Sequence, residues 1–71
     1  MSARLNAYSD KDVAFMMRQL GGVKNASEFQ RIPQEEQRAL VLAVRKERVP
    51  IRQVARMTGV SKGVIERWIW E

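Results

Sequence analysis

The chain of 71 residues contains no cysteine and no histidine. The first absence excludes disulfides and thiolate-held metals. The second removes the commonest general base and the commonest metal ligand, so no metal site is expected. No apolar run approaches the roughly 18 residues of a membrane-spanning helix, and the opening Met-Ser-Ala-Arg-Leu-Asn-Ala-Tyr has no apolar stretch long enough for a secretory signal. Sustained period-2 alternation is missing, so strands are not expected. A glycine-rich phosphate loop is missing too: Gly21-Gly22 reads as a helix stop, and no cofactor is expected. These exclusions leave a soluble, cytoplasmic chain of one domain, limited in the core it can bury.

Charge is distributed unevenly. Residues 1–44 hold six Lys/Arg against five Asp/Glu, a net of +1. Residues 45–71 hold Arg45, Lys46, Arg48, Arg52, Arg56, Lys62 and Arg67 against Glu47, Glu66 and Glu71, a net of +4. A positive field concentrated on one segment attracts a phosphate backbone. A solvated basic face that binds nothing in particular has the same composition.

The pattern predicts an all-α fold, a compact bundle of four to five short helices. Residues 1–8 read as a loose arm and residues 9–71 as a single helical domain. Ser9 is a good N-cap for a first helix over Asp10–Leu20, with Asp12 completing a variant capping box. Val13, Met16, Met17 and Leu20 fall on one face of that helix, and Gly21 is expected to supply its left-handed stop. The two methionines read as core packing rather than a soft binding groove. Asn25–Ile32 reads as a helical turn that plugs Phe29 and Ile32 into the core. Pro33 suits the first turn of the next helix, which is expected to run from about Gln34 to Arg48, with Gln37, Leu40, Val41 and Val44 as its buried stripe and Arg45, Lys46 and Arg48 at its negative end. Leu42 and Ala43 fall partly off that stripe. Pro50 ends the run and can start another helix at Ile51.

The segment from about Ile51 to Trp70 has the spacing of a helix-turn-helix. Ala55 lies four residues before Gly59, and Ile65 six after it. The alanine permits close approach of the second helix, the glycine takes the positive φ of the turn, and the branched residue anchors the second helix on the first. Val54, Val60 and Trp68 complete the inward set, and Ser61 caps the following helix. Ser61, Lys62, Gly63, Glu66 and Arg67 are then the outward positions. In this motif the second helix enters the major groove while the first crosses the backbone. That geometry assigns Ser61, Lys62 and Arg67 to base edges or adjacent phosphates, and Arg52, Gln53 and Arg56 mainly to phosphates. Glu66 either accepts from a cytosine amino group or pairs with Lys62 along the helix. Gly63 inside a helix costs roughly 0.5–1 kcal/mol relative to alanine, which either close approach of DNA or a packing constraint would justify.

The stretch IRQVARMTGVSKGVI (51–65) resembles the helix-turn-helix that follows the catalytic domain in some bacterial REP-associated tyrosine transposases, within the wider Trp repressor and replication-initiator group. Ser9–Val13, Leu20–Val23, Ser27–Gln30 and Pro33 with its acidic follow-up resemble the region leading into that motif. The resemblance implies recognition of DNA at element ends or at an operator-like site. It does not extend to catalysis: those enzymes use a tyrosine nucleophile and a metal held by two histidines. Here histidine is absent, and Tyr8, the one tyrosine, reads as a surface or core-edge residue. Ending at Glu71 after Trp68-Ile-Trp70, the chain reads as a detached domain or a small stand-alone regulator. Trp68 belongs to the core, whereas Trp70 covers either the open end of the bundle or a partner surface.

The sequence thus points away from an enzyme and toward sequence-specific binding of double-stranded DNA by a nucleoid-associated protein, either a transcriptional regulator or the DNA-recognition part of a transposase-like protein. A small helical protein–protein interaction module is the alternative; it would expose a contiguous apolar patch around Leu42 or Trp70. A homodimer and a larger parent protein both remain open.

Overall fold

The computed structural model describes residues 8–71 and forms them into α1 (Asp10–Gly21), α2 (Ala26–Arg31), α3 (Gln34–Lys46), α4 (Ile51–Thr58) and α5 (Lys62–Trp70). Helices α1 and α5 each pack on both α3 and α4, and α2 closes against α4. The expected all-α bundle is therefore the fold. None of the described helices is long and apolar enough to cross a membrane.

The caps explain where the helices begin. Ser9 Oγ accepts from the Asp12 amide at 3.1 Å, and Asp12 Oδ2 accepts from the Ser9 amide at 3.3 Å, so the capping box closes. Asn25 Oδ1 accepts from the Glu28 amide at 2.9 Å and starts α2, a six-residue helix where a single turn was expected. Helix α3 begins at Gln34, where it was expected to start, with Pro33 as its N-cap.

The ends depart further from expectation. Gly21 is the last residue of α1, and it is Gly22 that takes the left-handed conformation, with φ 69°. A Cβ on Gly21 would lie 2.9 Å from Leu40 Cδ2, so this glycine serves the approach of α3 rather than the turn. Helix α3 stops at Lys46, two residues short of the expected end, because Arg48 enters the left-handed region at φ 69°. That reversal delivers Val49, unremarked in the sequence, into the centre of the core.

The core joins Phe29 to aliphatic side chains of every other helix, among them Val13, Val41, Val54 and Ile65, all at most 1 % exposed. Met17 is buried and Met16 half-buried, in keeping with packing roles. Leu20 is 52 % exposed, contrary to its expected place on the buried face. It stands on the last turn of α1, where it borders an open hollow with Ile32 and Leu40 instead of reaching the interior. Gln37 is half-buried, and its amide donates to the carbonyls of Phe29 (3.0 Å) and Ile32 (3.1 Å), which caps the C-terminus of α2.

Tyr8 does not behave as part of a loose arm. It is partly buried, its hydroxyl donates to the Glu47 carbonyl at 2.9 Å, and its own carbonyl accepts from Gln53. The rest of the expected arm, residues 1–7, lies outside the described residues.

Candidate nucleic-acid interface

Helices α4 and α5 meet across a turn built from three side-chain types. Gly59 takes φ 81° and its amide donates to the Ala55 carbonyl at 2.8 Å. Thr58 is buried, its hydroxyl donating to the Val54 carbonyl at 2.7 Å and accepting from the Val60 amide at 3.2 Å. Ser61 then accepts from the Val64 amide at 3.3 Å and starts α5. The sequence reading missed Thr58; the signal was a hydroxyl immediately before the turn glycine, where it can bond both backwards and forwards. It also missed Gln30, whose side-chain amide donates to the Thr58 carbonyl at 2.7 Å and ties α2 to the turn. Val54, Ile65 and Trp68 are buried and Ala55 and Val60 half-buried, so the inward set occupies its expected side.

On the outward side of α5, Ser61, Lys62, Gly63 and Arg67 are exposed and Glu66 is half-buried. Among the described residues the ion pairs join Arg56 to Asp10 and Arg38 to Glu71, so Lys62 and Glu66 do not pair along the helix. A Cβ on Gly63 would meet nothing within 4 Å. Internal packing therefore gives no reason for glycine at this position. Trp70, 85 % exposed, lies three residues beyond Arg67 and seven beyond Gly63, on the same crest of α5. It does not cover the end of the bundle.

Arg52 is exposed at the start of α4. Together with Lys62 from the start of α5 and Arg45 from the end of α3 it lines an open hollow of about 410 Å³ that Pro50 and Ile51 also border. In the sequence Arg45 reads only as a cation at a helix C-terminus. Its guanidinium also donates to the Val49 carbonyl, which fixes the side chain beside the hollow. Three positive charges from three helices thus converge where the two helices of the motif begin.

Two expected phosphate ligands are placed otherwise. Gln53 is only 9 % exposed, and its amide donates to the Tyr8 carbonyl at 2.7 Å and to Asp10 Oδ1 at 3.2 Å. It is a packing residue, because the chain entering α1 folds over α4 and supplies both acceptors, the Tyr8 carbonyl just before the helix and the Asp10 carboxylate at its first position. Arg56 remains largely exposed, but its guanidinium lies 2.6 Å from Asp10 Oδ1. Asp10 therefore offsets part of the charge of α4. Among the described residues no three Asp or Glu side chains gather into a set that could hold a metal ion.

Comparison of the chain with known protein families, with characterised proteins and with solved structures returns no match.

Proposed function

We propose that the chain is a non-enzymatic domain that binds double-stranded DNA sequence-specifically, with α5 in the major groove and the start of α4 on the backbone. The observation that carries this reading is the convergence of Arg45, Arg52 and Lys62 on one open hollow at the start of both helices. Such a cluster neutralises phosphates and releases their counterions, which is the main source of affinity for duplex DNA. Gly63 adds support. An exposed helical glycine with open space around its Cα lets another backbone approach closely, and it is flanked by Ser61, Lys62 and Arg67, side chains able to donate to base edges or phosphates. In this reading Gln53 has no DNA contact and Arg56 contributes a reduced one. The domain acts in the nucleoid, as a regulator or as the recognition part of a transposase-like protein.

The test is a titration of the purified chain with random-sequence duplex at two salt concentrations, beside an Arg52→Ala/Lys62→Ala variant. Both side chains are exposed, so the fold should survive their loss. Binding should weaken steeply with salt, and the double variant should flatten the log–log slope by about 0.9 for each phosphate contact removed. Absence of binding at low salt by the folded, monodisperse chain would refute the reading.

A further inference from the structure

A second basic face is left unused by the DNA reading. Lys11, Ala14, Phe15 and Arg18 recur at helical spacing along one outer stripe of α1. Phe15 is 61 % exposed. With Lys24 these residues line an open hollow of about 350 Å³ that no carboxylate borders. Ala14 and Lys24 also border an adjoining hollow of about 310 Å³, walled by Met17, Val23 and Met57 and also by the Asp10–Arg56 ion pair. A single exposed apolar residue is ordinary. An exposed aromatic that lines a hollow with three cations, beside a second hollow walled partly by apolar side chains, is a different arrangement, since it offers both halves of a recognition surface.

We propose that this face of α1 docks an acidic amphipathic helix of a partner protein, which seats an apolar side chain beside Phe15 and sets carboxylates against Lys11, Arg18 and Lys24. Charge complementarity selects the occupant. A second copy of this chain would bring the same three cations to the same place, and a duplex backbone brings anions without an apolar group to fill the hollow. The three cations that line the hollow with Phe15 are none of Arg45, Arg52, Arg56, Lys62 and Arg67, so docking there can be tested separately from DNA binding.

The experiment follows backbone amide shifts of the full ¹⁵N-labelled chain as peptides are added. The probe is a helical peptide of about 15 residues with leucines at i, i+3, i+4 and i+7 and glutamates elsewhere, beside its glutamine counterpart and a scrambled version. The expected result is shifts centred on Lys11–Arg18 and Lys24, strong for the acidic amphipathic peptide and weak for the other two. Phe15→Ser should weaken binding roughly tenfold, and Lys11→Glu/Arg18→Glu, which keeps Phe15, should abolish it. The proposal is overturned by any of four outcomes: no shifts at millimolar peptide, shifts centred on α4 and α5, equal binding of the scrambled peptide, or an affinity indifferent to Phe15→Ser. It is equally overturned if random-sequence duplex perturbs these α1 amides in a Phe15-dependent way, which would assign the face to nucleic acid.

Discussion

Asp10 holds Arg56 at 2.6 Å across 46 positions of sequence, and the same carboxylate oxygen accepts from Gln53 at 3.2 Å. The first residue of α1 thereby ties itself to α4 and draws positive charge away from the helix that would cross a DNA backbone. Asp10→Ala releases that charge. Because the ion pair is exposed, its loss should cost at most about 1 kcal/mol of stability. The salt dependence of duplex binding should steepen by up to about 0.9 in log–log slope as Arg56 becomes available to a phosphate. An unchanged slope would place Arg56 off the DNA.

Gln53 separates a packing role from a binding one. Gln53→Ala strands the Tyr8 carbonyl, which the amide reaches at 2.7 Å, and removes the second bond to Asp10. The expected cost is about 1–2 kcal/mol in urea denaturation. The salt slope of duplex binding should stay where it is, since no phosphate contact is lost. A shallower slope with unchanged stability would return Gln53 to the binding surface.

Gly63→Ala should move stability and binding in opposite directions. The added methyl meets nothing within 4 Å, so the helix gains part of the roughly 0.5–1 kcal/mol by which alanine exceeds glycine in a helix interior, Gly63 being the second residue of α5. If a DNA backbone or base edge comes close to α5 here, the same methyl weakens duplex binding. Thermal melting and a duplex titration on the same sample read the two effects. A variant that is more stable and binds equally well would show that α5 makes no close approach at this residue.

The parts of the fold legible in the sequence are those governed by local chemistry. Ser9 with Asp12, and Gly59 followed by Ser61, are short-range devices whose spacing alone predicts them. Helical periodicity likewise picks out Val13, Val41, Val54 and Ile65 as core. What escaped depended on distant partners. Nothing near Gly21 announces that Leu40 will press on it, and nothing near Gln53 announces Tyr8 and Asp10 as its acceptors. The candidate site divides the same way. Arg52, Ser61, Lys62, Gly63 and Arg67 are outward because of their position within one helix pair. Arg45 joins them only because Arg48, a non-glycine at φ 69°, brings the end of α3 back beside the start of α4.

Trp70 gives a direct reading of how far α5 enters a groove. Trp68 is 6 % exposed and Trp70 is 85 % exposed, so an aqueous quencher such as acrylamide should reach one indole and not the other. Trp70 shares its crest with Gly63 and Arg67, at the far end of the helix from Lys62. If α5 lies along the major groove for its whole length, saturating duplex should shield Trp70 from acrylamide while Trp68 stays dark to it throughout. Trp70→Phe should erase the quenchable fraction in the free protein and leave stability within about 0.5 kcal/mol, because the indole is not packed. If duplex binds but Trp70 stays fully quenchable, only the first turns of α5 engage the bases, and the tip carrying Trp70 projects clear of the DNA.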